Sequence, residues 1–179
     1  KITFSGPFAK FVNKSNNSIL HLLNILREKK IISNYYSVSV EKNIPVFAGL
    51  GGGTGNSAFI LKHILKKKVD KFLLHQIESK IGSDFKLFFY KQGFLRNLRS
   101  VIDLKKKQSL FFVLIQPQVK CSTKKIYSNV RNYSKKKTFK KDKINTKTKF
   151  ISHLSKGSNE LQLIVEKKYP IVKRLLTNI

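Results

Sequence analysis

Apolar and polar residues alternate from Tyr36 through Ser37, Val38, Ser39, Val40 and Glu41 to Lys42, which predicts a half-buried strand. Upstream, Asn16-Asn17-Ser18 offers capping residues before Ile19, Leu22, Leu23 and Leu26. Their i, i+3, i+4, i+7 spacing predicts a helix with those side chains in the core, and Asn17 reads as its cap. Asn56 to Lys66 carries Phe59, Ile60, Ile64 and Leu65 at helical spacing. Asp70 to Ile81 predicts another helix that buries Phe72, Leu73, Ile77 and Ile81 and stops at Gly82. The continuous apolar run Leu110 to Ile115, closed by Gln116-Pro117, predicts a buried strand opening a smaller α/β lobe. Near the end, Ser158 to Val165 and Ile171 to Leu176 read as two helices broken at Pro170.

Between the alternating strand and the helix from Asn56 lies Lys42-Asn-Ile-Pro-Val-Phe-Ala-Gly-Leu-Gly-Gly-Gly-Thr-Gly-Asn56, which holds five of the nine glycines. A strand that passes through glycines into a helix N-terminus suits an anion. Successive backbone N–H groups converge on it, and the unpaired amides of the first helical turn add to the field. A glycine-rich surface turn without a ligand is the plainer alternative, although a turn seldom needs so many glycines. The Walker A pattern requires Lys then Ser or Thr after its last glycine, and no lysine occurs between Asn43 and Leu61. The G-x-G-x-x-G fingerprint fails as well, because Thr54 and Asn56 stand where its third glycine would be.

What the segment resembles is the second motif of the GHMP small-molecule kinases, Pro-x-x-x-Gly-Leu-Gly followed by small and hydroxyl residues. The lead-in Lys42-Asn-Ile-Pro45 and the triple glycine Gly51-Gly52-Gly53 are most similar to the branch acting on a cytidine-diphosphate-linked methylerythritol. Two further segments agree. Gly82-Ser-Asp-Phe-Lys-Leu-Phe88 resembles that branch's Gly-(Ala/Ser)-Asp-x-Pro-x-Phe signature, with Lys86 in place of the proline. Cys121-Ser-Thr-Lys-Lys-Ile-Tyr127 resembles its Ser-Thr-x-x-(Val/Ile)-(Tyr/Phe) segment.

The resemblance implies an α+β, two-lobed fold, with an ATP-binding domain at 1–104 and part of a second domain at 105–179. It implies transfer of the γ-phosphoryl group of ATP, with Mg²⁺, to a 2-hydroxyl group in non-mevalonate isoprenoid synthesis. Pro45, Ala48, Gly49, Leu50, Gly51, Gly52, Gly53, Thr54 and Gly55 would hold the triphosphate, and Asn17 and Lys42 would line the nucleotide site. Thr54 would also serve Mg²⁺; the family usually has two serines where this chain has Thr54-Gly55. Asp84 matches the catalytic aspartate, which orients the acceptor hydroxyl and receives its proton. Read alone, it could be a helix N-cap or the partner of a lysine. Thr123 and Tyr127 match substrate-binding positions, with Tyr127 stacked on cytosine, although half-burial on a helix would explain that aromatic equally well. Asn159-Glu160-Leu161 resembles a further family segment and is read as structural.

The chain lacks methionine even at position 1, and Pro7-Phe-Ala-Lys10 is no convincing counterpart of the family's first motif, Pro-Ala-Lys-x-Asn. A fragment is therefore expected, inactive or nearly so by itself, because the first-motif lysine belongs beside the catalytic aspartate.

The formal charge of +28 would ordinarily suggest nucleic acid or an anionic membrane. Here the lysines are dispersed among Ile, Asn and Phe, as a compositional bias would leave them, and the dense run Ser134 to Lys143 reads as a solvated loop. The expected partner is the small-molecule substrate, with neither nucleic acid nor membrane. A homoserine- or mevalonate-type kinase and a basic nucleic-acid-binding protein are the alternatives. A single cysteine, Cys121, fits a reducing cytoplasm, and no apolar run approaches the roughly 20 residues that cross a bilayer. The four histidines show no ligand spacing and are expected on helix surfaces.

Overall fold

A computed structural model describes residues 1–66, 69–97, 100–104, 107–130, 144 and 146–178, with the side chains of Thr123 and Lys124 outside the description. Helices and short strands mix in one chain, which falls into two compact units: Lys1–Val46 with Leu50–Lys105, and Phe47–Gly49 with Lys106–Ile179.

The first unit opens with β1 (Ile2–Ser5), which pairs in parallel with β2 (Val38–Glu41), Ile2 opposite Val38 and Ser5 opposite Glu41. Strand β2 is shorter than the alternating run that predicts it, because only the residues facing β1 find a ladder partner. Between the strands runs α1 (Ser18–Glu28). The Asn17 side chain accepts from the Leu20 N–H at 3.0 Å, the expected cap. The α1 stripe is core as predicted, with Leu22 and Leu26 fully buried and Ile19 and Leu23 nearly so.

Helix α2 (Gly52–Leu65) packs against α1, and so does α3 (Lys71–Ile81). Asp70 caps α3, accepting from Phe72 and Leu73 N–H groups, and Gly82 ends it. The expected burial of Phe72 needs correction, and Phe59 is exposed as well. Phe59 and Phe72 are about 70% exposed, at 72% and 68%. In α2 the buried positions are Ser57, Ala58 and Leu61, and in α3 they are Ile77 and Glu78. Both phenylalanines lie off the face that tertiary packing selects. After α3 a 3₁₀ turn (Phe85–Phe89) seats Phe85 fully in the core, and a hairpin follows, β3 (Gly93–Asn97) with β4 (Ser100–Asp103), which the sequence pattern did not single out.

Removing a fully buried α1 side chain tests this core. Leu22→Ala should lower unfolding free energy by about 2–5 kcal/mol, read from urea denaturation. A change within error would mean that the α1 face is not packed as described.

The second unit is helical among its described residues: α4 (Thr123–Tyr127), α5 (Lys147–Ser155), α6 (Gln162–Lys168) and α7 (Pro170–Thr177). Pro170 separates the last two as predicted, occupying the first position of α7, where its missing N–H is harmless. Asn159 Oδ1 accepts from the Leu161 N–H at 3.1 Å, a structural role before α6. The expected buried strand at Leu110–Ile115 is not found. Those residues form no regular element, and Phe111 and Val113 are about 90% exposed, at 92% and 89%. An apolar run becomes a strand only where another strand satisfies its N–H and C=O groups, and none pairs with it among the described residues. The basic run Ser134 to Lys143 lies outside the described residues. All four histidines are exposed on helices, and no helix among the described residues is long and apolar enough to cross a membrane.

Candidate active site

Strand β2 ends at Lys42, whose backbone is held on both sides. Its N–H donates to Ser5 O at 2.7 Å, and its carbonyl accepts from Phe8 N–H at 3.1 Å. Lys42 is therefore buried, 6% exposed, and burial lowers the pKa of its ammonium from the usual 10.5. A Cβ placed on Gly52 would lie 3.5 Å from Lys42 Nζ, so the charge sits beside the first residue of α2. No carboxylate or carbonyl takes a hydrogen bond from it among the described residues.

Past Pro45 the backbone turns with positive φ at Phe47, Gly49 and Gly51. Ala48 and Gly49 fall with Phe47 in the second unit by contact, and Leu50 resumes the first. The helix then starts at Gly52, four residues before the predicted Asn56, so part of the glycine cradle is helix. Gly55 N–H already donates to Gly51 O at 2.8 Å and is not available to a ligand. No side chain caps α2, which leaves the amides of Gly52, Gly53 and Thr54 without intrahelical partners. Ser18 Oγ donates to Gly53 O at 2.8 Å and ties the start of α1 to this first turn.

Asp84 stands at the entry to the 3₁₀ turn, but its side chain makes no capping bond, and no lysine pairs with it among the described residues. The carboxylate instead rests on glycine backbone. Its Oδ2 lies 3.2 Å from where a Gly51 Cβ would be, and its Oδ1 lies 2.8 Å from a Gly82 Cβ position. Thr54 Oγ1 is 3.6 Å from that same Gly82 position, so hydroxyl and carboxylate share one side of the glycine helix. Phe88 fills the remaining space, 3.0 Å from a Gly51 Cβ and 2.8 Å from a Gly55 Cβ. Lys62, on α2, donates to Phe88 O and lies 5.0 Å above the Phe89 ring, which fixes the turn against the helix.

Within the first unit, then, Lys42, Gly51–Gly53, Thr54 and Asp84 converge. Asn17 lies next to Ser18, but its side chain is committed to its cap and to Asn13 and Lys14 carbonyls at 3.2 Å. Tyr127 lies in the second unit, 53% exposed, and Thr123's side chain lies outside the described residues. Ser18 and Lys62 escape sequence reasoning, since a serine after a cap and a lysine on a helix surface carry no motif. Phe88 was visible only as the last letter of the aspartate signature.

Glycine at position 51 is required twice, by φ of 65° and by the missing Cβ. Gly51→Ala should destabilise by about 1–3 kcal/mol, from the left-handed backbone and crowding of Phe88 together. Denaturant melts check this, and an unchanged midpoint would mean the turn does not hold its shape.

Curated proteins similar to the chain share one name. The chain is 35% identical over 182 residues to the 4-diphosphocytidyl-2-C-methyl-D-erythritol kinase of Pelagibacter ubique, a match taking in 98% of this chain and 63% of that protein. It is 29% identical to the kinase of the same name from Thermodesulfovibrio yellowstonii, over 92% of this chain and 62% of that one. With the one from Ureaplasma parvum it shares 28%, over 93% and 62%.

The chain is a relative of the 4-diphosphocytidyl-2-C-methyl-D-erythritol kinases.

It spans about three fifths of the length of the kinases it matches. No family model and no solved structure matches it.

Proposed function

We propose that the protein is a 4-diphosphocytidyl-2-C-methyl-D-erythritol kinase, which moves the γ-phosphoryl group of ATP to the substrate's 2-hydroxyl in non-mevalonate isoprenoid synthesis. The observation that carries this reading is the placement of the Asp84 carboxylate against Gly51, at an uncapped helix N-terminus with the Lys42 ammonium beside it. Free amides and a partly desolvated cation suit a polyphosphate, and a carboxylate at their edge suits the hydroxyl that attacks it. The new bond joins the acceptor oxygen to Pγ, the bond from Pγ to the bridging oxygen breaks, and the hydroxyl proton passes to Asp84.

In this reading the fold is the two-lobed GHMP kinase architecture, divided near residue 104. Pro45 to Leu50 shape the approach to the triphosphate. The amides of Gly52, Gly53 and Thr54 bind it, and Asn17 orders the α1 entry beside the nucleotide. Thr123 and Tyr127 meet the cytidine end, and the half-exposed Tyr127 ring has a face free for stacking. The Thr54 hydroxyl, a hard oxygen beside the first turn of α2, suits Mg²⁺. Mg²⁺ bound through phosphates would neutralise charge on the β- and γ-oxygens. A reducing cytoplasm suits such a metabolic enzyme.

An acceptor panel on the complete gene product tests the assignment, with ATP consumption and product mass as readouts. Phosphorylation of the cytidylyl substrate is expected. Phosphorylation of homoserine or mevalonate instead would overturn the choice of substrate.

A further inference from the structure

Two buried charges have no part in the chemistry above. Glu78 and Lys86 have side chains 6% and 10% exposed, and Lys86 Nζ lies 2.9 Å from Glu78 Oε2. Glu78 belongs to the last turn of α3, and Lys86 to the 3₁₀ turn. The loop that the pair closes contains Gly82, whose N–H donates to Glu78 O at 2.9 Å, and Asp84.

A buried ion pair is a weak source of stability, since apolar replacements of similar volume often do as well or better. This one is also incompletely satisfied. Glu78 Oε1 is buried without a hydrogen-bond partner, and the exposed His75 reaches only within 4.0 Å of Oε2. What such a pair does supply is direction. The ammonium of Lys86 meets the carboxylate at one height and rotation of the turn against α3. Phe85, fully buried between Asp84 and Lys86, anchors the turn by packing, which resists rotation less sharply than a directional pair. The position is also where the kinase signature carries proline, a residue that would stiffen the turn covalently; here a charge pair occupies the equivalent place.

We infer that Glu78 and Lys86 are positioning residues for Asp84: their pair sets the turn so that the carboxylate rests on Gly51. The catalytic consequence depends on the kinase reading, while the geometric one does not. In the complete gene product, Lys86→Leu should lower the melting temperature by leaving Glu78 buried and unpaired. Glu78→Leu/Lys86→Leu should restore it. The restored double variant should nonetheless turn over about 10²-fold more slowly with KM for ATP unchanged, the scale expected of a catalytic group displaced by about 1 Å. Lys86→Arg should keep both stability and turnover. The carboxyl ¹³C signal of Asp84, assigned by its loss in Asp84→Asn, should move in the double variant and stay in Lys86→Arg. A stable double variant with wild-type kcat and an unmoved Asp84 signal overturns the inference. If no alcohol is phosphorylated by the parent protein, the kinase reading falls and the ¹³C signal alone decides this one. Should the double leucine variant fail to fold, Glu78→Gln/Lys86→Gln is read by the same two measurements.

Discussion

Asp84→Asn should cut kcat for the cytidylyl substrate by about 10²–10⁴-fold, the usual worth of a positioned general base. Affinity for ATP should hold, because the amides of Gly52 to Thr54 and the Lys42 ammonium are untouched. Asparagine keeps the volume that fits between Gly51 and Gly82, so the turn should fold unchanged. It removes only the capacity to take a proton. Steady-state kinetics on the complete gene product separates the two constants. Unchanged turnover would remove Asp84 from the mechanism and leave it a residue at the entrance of a short turn.

Lys42→Met makes a second prediction, with opposite signs for stability and binding. Without ligand, burial of Lys42 disfavours its charged form, so methionine of similar length should raise the melting temperature. With ATP, the same change should weaken binding by about 10- to 100-fold, the loss of one charge-assisted contact of about 1.5–3 kcal/mol. Calorimetric titration and a thermal melt on one preparation suffice. A fall in the unliganded melting temperature would mean that the ammonium is compensated within the fold.

The pH dependence follows from the same burial. The folded-state pKa of Lys42 lies below 10.5, so the unfolded chain binds that proton more tightly. Stability therefore rises with pH between the folded value and 10.5, and below that interval the full penalty persists. Phosphate favours the ammonium, so ATP binding should take up protons at alkaline pH and weaken as pH climbs through the depressed value. Lys42→Met should lose that alkaline limb while keeping the remaining pH dependence. An identical alkaline limb in the variant would assign it to another group.

Local interactions account for what was legible beforehand. The Asn17 cap and the Ile19, Leu22, Leu23, Leu26 stripe need only helical geometry, and Gly82 and Pro170 end or divide helices through their own backbones. The glycine segment is legible for the same reason, because an exposed row of amides requires small residues whatever surrounds it. Its register was not. The helix reaches back to Gly52 because Phe88 and Ser18 pack or bond against its first turns, and neither is near in sequence. Leu110–Ile115 misled in the other direction, since apolar composition states a tendency and strand pairing needs a partner the chain must bring from elsewhere.

By itself, then, the amino-acid order determined the helices with their caps and stops, and it marked the glycine segment and Asp84 as candidates. Tertiary structure alone decided that Lys42 is buried beside Gly52, that the Asp84 carboxylate lies on Gly51, and that Glu78 and Lys86 are paired out of water. Caps and periodicity act over a few residues, within reach of pattern. Burial of a charge and the meeting of groups some thirty positions apart depend on how separate elements pack, which no local pattern encodes.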